Sequence, residues 1–273
     1  MISLESVMQN HLPKISIIIA TYNSSETIER CINSIVKQSY KNYEILIKDG
    51  ASKDSTISLI ESFHLNISYI QSGPDCGVYD AWNYCMPHVG GEWYTFLGSD
   101  DFYEDEFVLE RISKSLDVAL SNGMLIAYGI NRIIDKYGIT KCFLGRDWRL
   151  VKNRIMKEMT IRHPGCFYHK SLLINQPQFD VKFRIAGDHF YTLLCLQESE
   201  PYFYNFVAVV HQLGGISTSV RGIDTVLKET KIIQDHFGVP RRKRLGLLLV
   251  KRYILKISLT IVGSKITNLL FFK

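Results

Sequence analysis

Acids recur in this chain at the ends of apolar, β-branched runs. Asp49 opens Asp49-Gly50-Ala51-Ser52-Lys53-Asp54, Asp75 follows Gly73-Pro74, and Asp100-Asp101 follow Gly98-Ser99. A carboxylate followed by glycine can accept hydrogen bonds from a planar base or a ribose, and it can equally close an Asx turn on its own backbone. Asp54, ahead of Ser55-Thr56, can cap a helix. The adjacent pair Asp100-Asp101 is of another kind. Two neighbouring carboxylates repel, and a divalent cation that shares its coordination with phosphate oxygens removes the repulsion. At the end of a buried strand, in register with other strand-end acids, such a pair points to a metal.

The elements that must position these acids are legible from period and composition. The run 14–20 (KISIIIA) has the pattern of a strand buried on both faces of a parallel sheet. Over 25–36, Ile28, Cys31, Ile32 and Ile35 recur at helical spacing, with Ser24 or Ser25 as the expected N-cap. The rhythm continues with strands at 43–48, 67–71 and 92–97 and helices at 54–63 and 78–86. That alternation predicts βαβ units and an α/β fold, a mainly parallel sheet flanked by helices. Further on, a helix is expected near 105–120, a hairpin at 124–134 and 139–144, strands at 161–168 and 202–210, and helices at 186–196 and 223–237. In an open α/β sheet, ligands bind beyond the carboxyl ends of the strands, and there the acids stand.

Composition fits one globular domain over 1–239 with a distinct tail at 240–273. Of 273 residues, 46% are hydrophobic and 22% charged, which excludes disordered and collagen-like classes. Six cysteines are spread without a C-x-x-C pair, so they read as free thiols in a reducing compartment. No apolar stretch of signal-peptide length occupies 1–14, and a cytoplasmic location is the expectation. The net charge of +5 hides an asymmetry: the tail holds nine Lys or Arg and no acid, leaving 23 basic against 27 acidic residues in the body. A nucleic-acid partner is therefore not expected, because its binding face would lie on the folded body. In the tail, the apolar run 245–262 is broken by Lys251, Arg252 and Lys256 and falls short of the ~20 uninterrupted residues a spanning helix needs. Its basic residues fall on one helical side, with leucines intruding, which fits an interfacial helix on an anionic membrane surface, a partner-binding helix or a disordered basic tail.

The ordered stretches ISIIIATYN, KDGASKDST, GPDCGVYDAWN and EWYTFLGSDD resemble the family 2 glycosyltransferases of the Rossmann-like GT-A fold, in the bacterial branch that builds surface polysaccharides. The resemblance covers roughly 14–238. It implies that Thr21, Tyr22 and Asn23 line a nucleotide pocket, that Asp49 binds the base, and that Asp100 contacts the ribose or the sugar. Asp101, last in the Ser-Asp-Asp version of the D-x-D motif, would hold Mn2+ or Mg2+ against the diphosphate. Asp75, Gly77, Asp80 and Asn83 would shape the pocket beneath the nucleotide sugar, while Trp82 replaces the Arg that many members place just before Asn83. The segment Ile185-Ala186-Gly187-Asp188-His189 resembles the one that carries the catalytic acid of the family, which makes Asp188 the candidate base; as a residue it could also be a helix N-terminal acid favoured by the macrodipole. Gly214-Gly215-Ile216-Ser217 resembles a loop motif of the branch. His163 and His211, as lone histidines, are expected to be structural.

The function implied is inverting transfer of a hexose or N-acetylhexosamine from a nucleoside diphosphate sugar, UDP-linked by resemblance, to a lipid-linked (undecaprenyl diphosphate) saccharide at the cytoplasmic face of the inner membrane. Two rivals differ in class. A sugar nucleotidyltransferase would show a Gly-rich, basic first loop, which Ala20-Thr21-Tyr22-Asn23-Ser24 lacks. A non-catalytic nucleotide-sugar-binding module would not need Asp49, Asp100, Asp101 and Asp188 together.

Overall fold

Isoleucines dominate the first strand, β1 (Ile15–Thr21), and branching at Cβ suits an extended backbone packed on both sides. The computed structural model describes residues 12–176, 178–213 and 220–240. After β1 the chain runs through α1 (Ile28–Val36), β2 (Tyr43–Asp49), α2 (Thr56–Glu61), β3 (Tyr69–Ser72), α3 (Val78–Cys85), β4 (Trp93–Gly98), β5 (Phe102–Tyr103) and α4 (Val108–Ser121). It continues with β6 (Ile126–Ile134), β7 (Thr140–Leu144), α5 (Trp148–Val151), β8 (Cys166–His169), α6 (Leu172–Asn175), α7 (Gly187–Cys195), β9 (Pro201–Gln212) and α8 (Val220–His236).

Alternation along β1 splits the core into two layers. Ile15, Ile17 and Ile19 pack with Ile28, Cys31 and Ile32 of α1 and with Ile112 and Leu116 of α4. Ile18 faces the other way, toward Tyr79 and Trp82 of α3, Tyr191 of α7 and Ile233 of α8. The fold is thus α/β, one sheet with helices on both faces, as expected.

Strand order is β3-β2-β1-β4-β8-β6-β9-β5, with β7 added beside β6. The first four strands are parallel and their carboxyl ends are level: Thr21 pairs with Asp49, Asp49 with Ser72, and Ala20 with Gly98. The second half is mixed. β8 runs antiparallel to β4 and β6, whereas β9 is parallel to β6. The expected hairpin is β6–β7, whose turn is closed by Gly138 N–H on Asp135 O at 2.9 Å; so short a connection can join only antiparallel strands.

Three details differ from the sequence expectations. The N-cap of α1 falls at Thr27; the Ser24 hydroxyl, a capping oxygen by type, is engaged with Ser99 Oγ instead, and the Ser24 and Ser25 amides tie this stretch to Thr56 Oγ1 and Asp54 Oδ2. The strand expected over 161–168 begins only at Cys166, since Gly165 has φ +74 and breaks the extended run. The two-residue β5 is too short to carry a period in the sequence and is stabilised by pairing with Val209 and Val210. The Gly214-Gly215-Ile216-Ser217 motif and the tail beyond Pro240 lie outside the described residues. Among the described residues no helix is long and apolar enough to cross a membrane.

Gly129 sits at a register shift between β6 and β9, where the Tyr204 ring crosses the strand with its hydroxyl donating to Gly165 O. A β-carbon at 129 would fall inside that ring. Gly129→Ala should therefore destabilise the fold by about 1–3 kcal/mol or more through overpacking, read as a lowered urea midpoint at unchanged m.

Candidate active site

Parallel pairing brings the first three strand ends together, and local hydrogen bonds then fix the loop after each one. Asp49 is fully buried: Ser52 N–H and Ser72 Oγ donate to its Oδ2 at 3.0 and 2.7 Å, and Ser52 Oγ to its Oδ1 at 2.5 Å. It thus closes an Asx turn that ties β2 to β3. Asn23 and Ala51 both have positive φ, +50 and +64. Asn23 latches the β1 loop onto this turn, its amide donating to Ser52 Oγ and its Oδ1 accepting from Lys53 N–H. Thr21 is buried, whereas Tyr22 is 58% exposed beside the turn.

Beyond β3, Asp75 Oδ1 accepts from Gly77 N–H at 2.9 Å, and Cys76 N–H donates to Asp80 Oδ2 at 2.8 Å, so both acids shape the start of α3. Gly77 has φ +121, a conformation that excludes other residues without strain. Gly50 must also stay small, because a β-carbon there would lie 2.9 Å from Asp75 Oδ2 and 3.3 Å from the Tyr22 ring. Lys48 is buried beneath, donating to the carbonyls of Asp49 and Gly73 and lying 3.7 Å from Asp75.

The carboxylates of Asp100 and Asp101 fold back over Gly98, each with an oxygen 2.8 Å from where a β-carbon would stand. Arg30 of α1 holds this loop by donating to Asp100 O and to Gln212 Oε1, and Ser24 Oγ meets Ser99 Oγ at 2.9 Å. Burial, and then the charge of Asp101, raises the Asp100 carboxyl above the usual carboxylate range. His211, at the end of β9, meets Asp101 Oδ1 through Nδ1 at 2.7 Å. Burial alone would lower its imidazole, but Asp101 and then Asp100 outweigh it and raise it.

These groups fit a divalent cation. Two carboxylates and an imidazole are oxygen and nitrogen donors suited to Mn2+, and the Asp100 carboxyl, raised by burial first and by the charge of Asp101 second, would be eased by an added cation. Among the described residues no three His, Cys, Asp or Glu side chains form a complete metal-holding cluster, so a cation here would need oxygens from a ligand.

Asp188 stands apart, in the first turn of α7. Burial pushes its carboxyl up to about 6, against opposing hydrogen bonds from His189 N–H at 2.8 Å and Tyr79 Oη at 3.4 Å and the charge of Arg162. The single hydroxyl proton of Tyr79 is shared with Ile185 O, the nearer acceptor at 2.6 Å, and the Tyr79 ring would lie 2.7 Å from a β-carbon at 187, which accounts for glycine there. Asn83 exchanges hydrogen bonds with Phe179 at 2.7 and 2.9 Å, fixing the segment that leads to Asp188. In this way α3 carries both the turn at Asp75 and the clamp on the α7 approach.

Sequence reasoning misses Tyr79, Lys48, Arg162 and the partnership of His211 with Asp101. The His211 pairing spans 110 residues and depends on β9 lying beside β5, which no local pattern announces. His163 behaves as a structural residue: it is stacked on Phe96 at 4.9 Å and pushed down to about 3 by burial, which keeps it neutral.

Comparison with known proteins agrees with this architecture. The chain is 26% identical over 258 residues to a PGL/p-HBAD biosynthesis glycosyltransferase of Mycobacterium tuberculosis, covering 92% of this chain and 94% of the relative. It is 28% identical over 229 residues, 83% of this chain and 87% of the relative, to the Escherichia coli UDP-Glc:alpha-D-GlcNAc-diphosphoundecaprenol beta-1,3-glucosyltransferase WfgD. Among solved structures, S. aureus TarS 1-349 in complex with UDP-GlcNAc superposes with TM-score 0.60 at 16% identity, over 90% of this chain and 80% of that one. The mannosyltransferase PcManGT from Pyrobaculum calidifontis, in complex with GDP-Man and Mn2+, gives 0.61 at 17% identity, over 81% and 64%. These two likenesses bear on the fold alone. Residues 16–174, more than half of the chain, match the model of the family described as Glycosyl transferase family 2, and the chain belongs to that family.

Proposed function

We propose that the chain transfers a hexosyl or N-acetylhexosaminyl group, with inversion, from a nucleoside diphosphate sugar to a hydroxyl of a lipid-linked saccharide in bacterial surface-polysaccharide synthesis. The observation that carries this reading is Asp188, a half-buried carboxyl pushed up to about 6, set apart from a strand-end cluster of acids. A base near neutrality is basic enough to take a hydroxyl proton in the transition state and still ionised at pH 7. In the reaction the acceptor oxygen bonds to the anomeric carbon as its proton passes to Asp188. The bond from that carbon to the diphosphate breaks, and its electron pair leaves with the nucleotide.

On the donor side, the Asp49 turn and Tyr22 flank the place for the base, with Thr21 and Asn23 fixing the loop. Asp75, Gly77, Asp80 and Asn83 form the floor through α3, and Asp100 faces the ribose or sugar. Asp101 and His211 would hold Mn2+ or Mg2+, which when bound supplies positive charge against the departing diphosphate. The UDP-linked donor and undecaprenyl diphosphate acceptor in the name of WfgD support those choices here. The composition of the basic, apolar tail supports a peripheral site on the anionic, cytoplasmic face of the inner membrane.

A donor screen with Mn2+, covering UDP-, GDP- and dTDP-sugars against a diphosphate-lipid acceptor, tests the reading; absence of turnover and of nucleotide binding together would overturn it. Asp188→Asn should retain nucleotide affinity and abolish transfer, and the wild-type rate should fall about tenfold per pH unit below ~6 as the base is protonated. The same substitution should affect stability with a defined sign. A carboxyl whose folded value is raised stabilises the fold below its unfolded value near 4, and that contribution is lost as pH rises through about 6. Asp188→Asn should therefore leave Tm unchanged at pH 4 and raise it at pH 8, by ~2–4 °C for each kcal/mol relieved. Asp101→Ala should remove the dependence of nucleotide affinity on Mn2+ in calorimetry; an unchanged metal dependence would displace Asp101 from that role.

A further inference from the structure

Among the described residues, one cation near the candidate base, Arg162, makes no direct ion pair; the carboxylates whose charge it feels, Asp188 and Glu158, act on it at longer range. Arg162 belongs to the turn ahead of β8, between fully buried Ile161 and His163, which is only 2% exposed. That turn is pinned on both sides: Asn131 Nδ2 donates to Pro164 O at 2.8 Å, Tyr204 Oη donates to Gly165 O, and Cys166 N–H returns to His163 O at 3.0 Å. The stem of Arg162 is thus fixed and half-buried. Among the described residues no hydrogen bond or ion pair engages its guanidinium, and none of its nitrogens is sealed from solvent.

Its position follows from strand pairing: Thr95 of β4 pairs with Phe167 of antiparallel β8, so the turn that carries Arg162 lies beside the end of β4 that leads into Asp100 and Asp101. Its charge is felt both at the Asp188 carboxyl and at the His211 imidazole, which it lowers. Two other cations beside the strand ends are already engaged, Lys48 by backbone carbonyls and Arg30 by Asp100 O and Gln212. Trp82, at the position where the family resemblance places an arginine, is instead buried against Phe96 and His163.

A cation drawn partly out of water without a counter-charge costs free energy, and a planar guanidinium cannot shed that cost by deprotonation. The cost is recovered when an anion of matching geometry arrives, and phosphoryl oxygens are anions that a guanidinium grips through two parallel hydrogen bonds. We propose that Arg162 is a diphosphate-binding residue that clasps phosphoryl oxygens between the Asp101–His211 centre and Asp188. The diphosphate is either that of the nucleotide donor or that of the lipid acceptor. The assignment rests on the glycosyl-transfer reading.

Calorimetry on the full chain with Mn2+ tests it, using UDP and GDP against uridine and guanosine, for wild type, Arg162→Lys and Arg162→Met. If the donor is the source, Arg162→Met weakens nucleoside diphosphate binding by about 10- to 100-fold, as for loss of a charge-assisted pair, leaves nucleoside binding unchanged, and Arg162→Lys recovers part of it. If the lipid is the source, UDP and GDP affinities hold, while KM rises for a diphosphate-lipid acceptor and not for the same saccharide on a phosphate-free aglycone. Equal weakening of nucleosides and nucleoside diphosphates would overturn the proposal in favour of a structural role. Unchanged binding and KM, with only the acid limb of the pH profile displaced, would overturn it in favour of tuning Asp188. A wild type that binds no nucleoside diphosphate would instead bring down the glycosyl-transfer reading itself.

Discussion

Like charges forced together are the constraint on which the rest of the site depends. Asp100 and Asp101 are folded over the same glycine, where any side chain would separate them, and their repulsion is resisted by contacts from well-separated parts of the chain. Arg30 reaches in from α1, Ser24 from the end of β1, Cys31 donates to Gly98 O, and His211 closes over Asp101 from β9. The Asp100 carboxyl stays raised despite these partners, by burial first and by the charge of Asp101 second. A site left short of positive charge in this way favours cations and the anions that travel with them.

The mixed half of the sheet supplies what the parallel half lacks. Parallel strands deliver Thr21, Asp49 and Ser72 to one edge, but every residue there is a hydrogen-bonding or acidic group. The imidazole of His211, the guanidinium of Arg162 and the displaced carboxyl of Asp188 all come from beyond β6, where strand direction reverses. Running β8 antiparallel between β4 and β6 carries the turn that precedes it, and with it Arg162, to the edge where the parallel strands end.

This division also explains how much can be read from the sequence. The parallel half is legible because β-branched runs and helical spacing repeat there at short range, and because parallel pairing obliges strand ends to meet. The acids after those ends can therefore be placed on one edge without reference to coordinates. What the sequence hides depends on distant partners. Asp49 is engaged by Ser72 across 23 residues, Ser24 and Ser25 direct their amides to the 54–56 turn, and the register shift at Gly129 is set by a ring on another strand. Asp188 is identified by the resemblance of its segment to a family motif, whereas its altered basicity comes from burial beside Tyr79, which no spacing encodes.

The reciprocal bond between Asn83 and Phe179 has a bearing on how such chains can diverge. α3 begins at the donor-side turn of Asp75 and Gly77 and ends by holding the approach to α7, while its Tyr79 ring fills the space over Gly187. One short helix is thereby a common lever arm for two chemically separate tasks. Asn83 bonds to the backbone of Phe179 and so demands an amide at 83 while leaving the side chain at 179 free to change, whereas the Tyr79 ring and Gly187 limit each other's size about a hundred positions apart. Relatives that share this helix should accordingly covary at 79 and 187, and a hybrid assembled by exchanging the halves on either side of β6 would inherit a mismatched joint there even if each half folded faultlessly.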